Sequence, residues 1–199
     1  SKYKISNRGI AQLASLVELE GLILNHNKIT DYGAKQLKKL TKLKTLELGK
    51  NSKISNGSLK VIGGLTELTR LRLFGTKVSA KGLVNLKNLS KLHTLDLSGN
   101  TRIKDSGLSH LMALTSLREL DLNSTSIGNK GVATLSGLSE LTKLWIYSNW
   151  RISDKALRSV GELKKLKKLS IGGTMISDQG MGYLSGLTEL EDLWIQRTK

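Results

Sequence analysis

The side chains that most often perform catalysis or bind metals are few and scattered in this sequence. Histidine occurs only at His26, His93 and His110, and cysteine is absent. His93 and Asp96, with Ser98 nearby, supply the residue types of a catalytic triad, but this spacing along a strand does not produce triad geometry. No phosphate-binding P-loop and no His-Glu-x-x-His motif is present. The sequence therefore predicts a protein that is not an enzyme and holds no cofactor or metal.

Aromatic side chains are the second group that could do chemistry, because Trp and Tyr bury a large area when they bind a partner. The chain has three Trp, four Tyr and one Phe. We place Phe74, Trp145, Tyr147 and Trp194 on one exposed surface, with Trp150 at its margin, and predict that the first four contact a partner. Two alternatives stay open. Trp194 could stack beneath a further unit, and Trp145 with Tyr147 could pack along the sheet.

Charged side chains of both signs fall at the same exposed positions. Those predicted to contribute to partner binding are Arg70, Arg72, Asp96, Arg118, Asp121, Lys143 and Lys168. We expect the acidic members of this set to be balanced by Arg72 and Arg118. A mosaic of both signs fits a folded protein partner better than a polyanion, which would favour a continuous positive stripe.

The chain as a whole is strongly basic. Lys and Arg number 32 against 16 Asp and Glu, which gives a formal net charge of +16. Nucleic acids, anionic surfaces and acidic proteins are all compatible with such a charge. Most of the excess falls on helices and loops outside the exposed strand positions. The alternative hypothesis is therefore a module that binds a polyanion, either nucleic acid or an anionic surface, through basic helices and flanks.

The exposed positions are defined by a repeat that spans the chain with spacings that alternate between 24 and 25 residues. The first leucine of an L-x-x-L-x-[L/I] segment occurs at Leu19, Leu43, Leu68, Leu92, Leu117, Leu141, Leu166 and Leu190. Alternating leucines predict a strand, and the later apolar rows, about three residues apart, predict a short helix. In such a strand the leucines point into the core and the residues between them are exposed.

Two polar rows mark the corners of these units. After each strand, Asn and Thr alternate at Asn51, Thr76, Asn100, Thr125, Asn149 and Thr174. We expect these side chains to bond free backbone groups of neighbouring coils. A second row, which includes Asp31 and Asn129 and is interrupted at Ala80, is predicted to supply helix N-caps. Small residues, mostly Gly, follow this row where coils are expected to approach closely.

The pattern L-x-x-L-x-L-x-x-[N/T]-x-[I/V] resembles the leucine-rich repeat family and covers essentially all 199 residues. Single units are similar to repeats of bacterial surface and effector proteins and of kinetoplastid proteins. They also resemble F-box-linked repeats, which carry cysteine where this chain has Asn or Thr. The resemblance implies an α/β leucine-rich-repeat solenoid with a parallel β-sheet on its concave face and short helices on its convex face.

The same resemblance implies a function in protein binding. We expect a single domain, residues 1–199, with about eight repeats and without native terminal caps, which solenoids need for solubility. It would be a non-catalytic protein–protein interaction module that binds through its concave face. The recognition part of a larger bacterial effector, surface protein or ubiquitin-ligase-type protein is a plausible context. The sequence has no apolar run of about 18 residues, and it leaves compartment and oligomeric state open.

Overall fold

The structure, a computed structural model, describes residues 4–198 and contains one parallel sheet whose eight strands follow sequence order. The strands are β1 (Gly21–Ile23), β2 (Thr45–Glu47), β3 (Arg70–Arg72), β4 (Thr94–Asp96), β5 (Glu119–Asp121), β6 (Lys143–Trp145), β7 (Lys168–Ser170) and β8 (Asp192–Trp194). Each strand is centred on the second leucine of one L-x-x-L-x-L segment. Every strand therefore lies where the alternating leucines predict it.

Short helical segments alternate with the strands. The α-helices are α1 (Asn7–Leu13), α2 (Asp31–Ala34), α3 (Asn56–Ile62), α4 (Asp105–Leu108), α5 (Asn129–Thr134), α6 (Asp154–Val160) and α7 (Asp178–Met181). Turns of 3₁₀-helix cover Lys35–Lys39, Ala80–Leu86, Ser109–Ala113, Leu135–Gly137 and Gly182–Leu184. Between β3 and β4 the helical segment, Ala80–Leu86, is 3₁₀-helix throughout. The helical segments of neighbouring coils pack on one another, so the molecule is an α/β solenoid.

Leucine side chains fill the interior between the sheet and the helical segments. In the coil of β4, Leu92, Leu95 and Leu97 are fully buried. The residue between Leu95 and Leu97 faces the other side of the sheet. At the end of the stack the equivalent side chains have a neighbouring coil on one side only. Leu193 and Ile195 are accordingly 40% and 44% exposed.

The buried Asn and Thr row joins adjacent coils, as the sequence predicts. The Asn100 amide donates to the carbonyl oxygens of Leu73 and Leu97, at 2.9 and 2.8 Å. The hydroxyl of Thr76 donates to the Asn100 side-chain oxygen at 2.9 Å. Because Thr of one coil bonds Asn of the next, two successive coils form the repeating unit. In this unit the coil that carries Asn has one more residue at its corner than the coil that carries Thr.

The second polar row does not cap its own helices, contrary to the sequence prediction. The N-cap of α3 is Ser55, and Asn56 is the first helical residue. Oδ1 of Asn56 accepts from the backbone N–H of Ser79 in the next coil at 2.9 Å, and Nδ2 donates to the Ser79 hydroxyl at 2.8 Å. A Cβ on Gly82 would lie 2.2 Å from that Oδ1. The row therefore joins neighbouring helix starts, and a small residue stands opposite it in the following coil, such as Gly82 for Asn56 and Ala156 for Asn129.

A left-handed turn follows every strand and directs the chain out of the sheet. The residues with positive φ are His26, Lys50, Gly75, Gly99, Ser124, Ser148, Gly173 and Arg197. Five of these eight residues are not glycine, although L side chains rarely adopt this conformation. The turn is therefore imposed by the repeated packing of the coils, and the residue types alone do not reveal it.

Candidate functional site

The solvent-facing side of the sheet, here called the concave face, presents two rows of side chains. The outer row, at the third position of each repeat, is Gly21, Thr45, Arg70, Thr94, Glu119, Lys143, Lys168 and Asp192. The central row, at the fifth position, is Ile23, Glu47, Arg72, Asp96, Asp121, Trp145, Ser170 and Trp194. Neighbours within a row are one strand spacing apart, about 4.8 Å.

A small cavity opens in the middle of the central row. Its volume is about 100 Å³, and its lining residues are Arg72, Thr94, Leu95, Asp96, Glu119, Asp121 and Trp145. Four residues selected from the sequence, Arg72, Asp96, Asp121 and Trp145, thus lie around one cavity. The structure adds Glu119, which was not selected from the sequence.

Arg72 lies between two largely buried carboxylates. Its Nη1 is 3.9 Å from Oε1 of Glu47, and its Nε is 3.8 Å from Oδ2 of Asp96. Glu47 and Asp96 are 8% and 9% exposed. Nε of Arg72 is buried and has no hydrogen-bond partner within residues 4–198. Arg72 therefore balances both charges while keeping an unused donor. Glu47 was not selected from the sequence, although its position beside Arg72 in the row was the available signal.

Asp121 is the carboxylate of this cavity with the most perturbed ionisation. Burial raises the pKa of Asp121 to about 6, although the N–H of Asn123, which donates to it at 2.9 Å, acts in the opposite direction. The negative charge of Asp96 on the adjacent strand raises that pKa further, whereas Arg72 lowers it. The expected balance by Arg118 is absent: Arg118 is exposed and forms no ion pair with Asp96 or Asp121.

This pKa has a consequence for stability that the variant Asp121→Asn tests. Between about pH 4 and about pH 6 the folded protein binds more protons at Asp121 than the unfolded chain does, so stability falls as the pH rises through this window. Asn keeps the oxygen that accepts from Asn123 and does not ionise. In denaturant titrations, we expect the stability of the variant relative to wild type to increase from about pH 4 to about pH 6 and then to stay constant. A difference independent of pH would contradict the raised pKa.

Two lysines selected from the sequence are paired within the sheet. Nζ of Lys143 lies 2.5 Å from Oε1 of Glu119 on the neighbouring strand. Lys168 forms an ion pair with Asp192, and this hydrogen bond raises the pKa of Lys168. These lysines therefore belong to a surface of paired charges, which a partner would meet as a mosaic of both signs.

An aromatic group occupies the concave face on the C-terminal side of the cavity. Trp145 and Trp194 lie two strands apart in the central row, with the buried side chain of Ser170 between them. The Tyr147 ring covers Gly172, where an added Cβ would lie 3.0 Å from Cδ2 of the ring. All three aromatic side chains are half-buried. They pack on the sheet surface and still expose area to a partner.

Phe74 and Arg70 lie in a different part of the same face. The Phe74 ring covers Gly49 and meets the His26 ring edge-on, with 5.9 Å between ring centroids. Arg70 belongs to β3 and Phe74 follows that strand, and neither residue lines the cavity, although Arg72 of β3 does. The structure therefore divides the residues selected from the sequence into an N-terminal group around Phe74 and a central group around the cavity.

Within residues 4–198, no three or more His, Asp and Glu side chains come together in a way that could hold a metal ion. None of the helices in this range combines the length and the apolar character needed to cross a membrane.

The fold is that of a repeat solenoid, and sequence profiles identify its family. Profiles described as leucine-rich repeat match residues 17–78 and, separately, residues 88–112 and 113–136. The chain therefore belongs to the leucine-rich repeat family, whose domains are generally non-catalytic scaffolds that mediate protein–protein interaction. A comparison with curated proteins gives no significant match.

Solved structures with the same fold include a bacterial and a plant protein. Internalin C2 from Listeria monocytogenes superposes with a TM-score of 0.65 and 23% identity, over 92% of this chain and 83% of that chain. The plant peptide hormone receptor RGFR1, solved in complex with RGF2, gives a TM-score of 0.60 and 20% identity, over 92% of this chain and 33% of the receptor chain. These likenesses establish the leucine-rich repeat architecture.

Proposed function

We propose that the chain is a protein-recognition module, without catalytic activity of its own, that binds a folded protein partner through the concave face. The anchoring residues are Trp145, Tyr147 and Trp194. The residues that orient the partner and select it are Arg70, Arg72, Asp96 and Asp121. In a larger effector, surface protein or ubiquitin ligase, such a module would supply recognition while another domain supplied the activity.

The observation that carries this proposal is the position of the aromatic group beside the charged cavity. Trp145 lines the cavity, and Trp194 follows two strands later in the same row. Half-buried Trp and Tyr side chains are held in place by packing, so they lose little conformational entropy when a partner covers them. Paired charges around such a group favour one orientation of the partner over others.

The cavity also indicates what the partner should bring to it. Asp121 has no ion-pair partner among the described residues, and the carboxylate of Asp96 lies on the adjacent strand. A Lys or Arg side chain of the partner would relieve this repulsion and would contact the Trp145 ring by a cation–π interaction. The partner surface is therefore expected to combine a basic side chain with an apolar patch. The complex of the plant receptor with RGF2 supports a ligand-binding role for this fold.

Affinity capture with matched tryptophan variants tests the proposal. Wild type, Trp145→Ala/Trp194→Ala and Trp150→Ala are immobilised and exposed to lysates at about 150 mM and about 500 mM salt, where screening weakens purely electrostatic binding. We expect a protein that stays bound at high salt to be lost from the double variant. For that protein, Trp145→Ala alone should weaken binding by about 2 kcal/mol or more, which is roughly 30-fold in Kd.

Trp150→Ala is the control because it removes the same side chain from a position outside the two concave rows. Trp150 is 71% exposed and follows the corner after β6. It should retain the captured protein as wild type does. An unchanged Kd for Trp145→Ala, or equal loss from the double variant and the control, would contradict concave-face recognition.

A further inference from the structure

One edge of the solenoid, at the corner that follows each strand, carries a row of cations. The row occupies the position immediately before the Ile or Val of each corner, which is buried in every coil except the first, where Ile5 is 46% exposed. Its basic members are Lys4, Lys28, Lys53, Lys77, Arg102 and Arg151, all of them exposed. Ser126 and Met175 take the same position in two later coils. We call this row, with the two grooves described below, the basic edge.

Backbone pairing between coils fixes the positions of these cations. Lys28 and Lys53 form parallel bridges with residues of the preceding coils, and so does Arg151. The N–H of Lys77 donates to the carbonyl oxygen of Ile54 at 2.8 Å. Each bridge places a cation opposite the residue two positions after the equivalent site of the preceding coil, so successive cations are offset along the edge and lie more than one strand spacing, about 4.8 Å, apart. The result is an ordered linear array of positive charge.

Two grooves open along the basic edge, and both combine cations with neutral hydrogen-bonding groups. The first, of about 470 Å³, is lined by Lys4, Asn27, Lys28, Ile29, Thr30, Lys50, Ser52 and Lys53. The second, of about 320 Å³, is lined by Ser79, Ala80, Lys81, Thr101, Arg102, Lys104 and Ser106. Neither lining contains a carboxylate. Ammonium, guanidinium and hydroxyl groups donate hydrogen bonds to phosphate oxygens in nucleic-acid complexes.

The opposite edge of the solenoid, where the strands begin, shows that the excess of positive charge is confined to the basic edge. There the cations alternate with glutamates from coil to coil. The ion pairs are Lys42 with Glu18 at 2.5 Å, Lys91 with Glu67 at 2.7 Å and Lys165 with Glu140 at 2.6 Å. In contrast, Lys53, Lys77 and Arg102 on the basic edge form no ion pair with any residue that the structure describes.

The aspartates closest to the basic edge are engaged between the coils. Asp31 accepts from the backbone N–H groups of Ser55 and Ser58, at 2.8 and 3.1 Å. Asp105 accepts from the N–H of Gly128 in the next coil at 2.5 Å. Because these carboxylates bond the backbone, the positive potential of the basic edge is compensated only in part by its own protein.

An exposed aromatic side chain extends the basic edge. Trp150 is 71% exposed and directly precedes Arg151. Its position in the repeat is the one that Ser52 and Thr101 occupy in the two grooves. An indole face in line with cations is a combination that single-stranded nucleic acids use, since bases stack on the ring while phosphates contact the cations.

We propose that the basic edge binds single-stranded nucleic acid, with phosphates along the cationic row and a base on Trp150. The grooves are lined by cations and neutral polar groups, and their apolar members Ile29 and Ala80 are buried, so no apolar side chain of the grooves is available to enter a lipid surface. The exposed Trp150 ring beside Arg151 offers a base a surface on which to stack, which suits a single strand. This second surface is separate from the concave face.

Binding of a fluorescent oligothymidylate of about 15 nucleotides, followed by anisotropy over a salt series, tests this proposal. The basic-edge variant is Lys53→Gln/Lys77→Gln/Arg102→Gln, and the control is Lys42→Gln/Lys91→Gln/Lys165→Gln, which lowers the net charge equally. We expect the basic-edge variant to bind at least about tenfold more weakly and to reduce the slope of log K against log salt by about 2. The control should stay within about threefold of wild type.

Two tryptophan variants separate this proposal from concave-face recognition. Trp150→Ala should weaken oligonucleotide binding about fivefold or more, as expected for the loss of one stacked base. Trp145→Ala/Trp194→Ala should leave it unchanged, even if it abolishes binding of a protein partner. Failure of one proposal therefore does not imply failure of the other.

Three outcomes would overturn the proposal. Equal losses in the two triple variants would assign binding to net charge and not to this edge. Absence of oligonucleotide binding would exclude the ligand class, and binding of heparin or phosphatidylserine vesicles in that case would assign the edge to another polyanion. Equally tight binding of duplex DNA with no effect of Trp150→Ala would exclude the single-stranded mode.

Discussion

Replacing Asn51 by Ala is expected to lower the free energy of unfolding by about 3 kcal/mol or more. Asn51 is fully buried, and its amide donates to the carbonyl oxygens of Leu24 and Leu48, at 2.9 and 2.8 Å. Its Oδ1 accepts from the buried N–H of Ile29 at 2.9 Å. Ala removes these bonds and leaves backbone groups of two coils without a partner where water does not reach. Urea unfolding monitored by circular dichroism measures the loss.

Asn88→Ala is the matched control for this variant. Asn88 is exposed and makes no side-chain hydrogen bond to a residue between 4 and 198, so the same change there should alter stability by about 0.5 kcal/mol or less. A loss below about 1 kcal/mol for Asn51→Ala would show that the freed backbone groups find other partners. The polar row would then be a consequence of the coil geometry and not a cause of its stability.

The strands and the core could be predicted from the sequence because each depends on a local pattern repeated many times. The spacing of leucines around Leu95, for example, places Thr94 and Asp96 on the face of the sheet opposite the core, and the structure agrees, although Asp96 is only 9% exposed there. Repetition makes this inference robust, since equivalent residues of successive coils must stack in register. The two rows of the concave face follow from the same argument.

The directions of individual side chains on the concave face could not be predicted in this way. Phe74 covers Gly49 of the preceding coil, whereas Tyr147 covers Gly172 of the following one. Each ring lies where a neighbouring coil lacks a side chain, which is a property of a pair of coils and not of one repeat. The missing ion pair of Arg118 has the same origin, because partner choice depends on how side chains reach across strands.

Charge provides a second example of what a single repeat does not reveal. Net charge indicates an excess of cations, but only the column of Glu18, Lys42, Glu67 and Lys91 shows that one edge neutralises its own lysines. Comparing residues at a spacing of one repeat would have found this alternation in the sequence. Once the lysines of that edge are set aside as neutralised, the cations of the basic edge are left as uncompensated positive charge.

Gly63→Ala is expected to lower the free energy of unfolding by about 3 kcal/mol, because two coils must separate to accommodate one methyl group. Gly63 ends α3 with φ of −62°, a conformation that Ala adopts without strain. A Cβ at this position would lie 1.9 Å from the carbonyl oxygen of Asn85 in the next coil. That oxygen belongs to the backbone and cannot move alone. Thermal or urea unfolding of the variant measures the effect.

The adjacent glycine provides a stringent control, because it receives the same methyl group in an open environment. At Gly64 the nearest atom to an added Cβ is the Val61 carbonyl oxygen at 3.4 Å, and the residue is exposed. Gly64→Ala should leave stability unchanged or raise it by up to about 1 kcal/mol, since Ala restricts the unfolded chain. A Cβ on Gly161 would lie 2.3 Å from the backbone carbonyl oxygen of Tyr183, so Gly161→Ala should behave like Gly63→Ala. Equal effects at Gly63 and Gly64 would instead show that the glycines act on stability through the unfolded chain and not through the contact between coils.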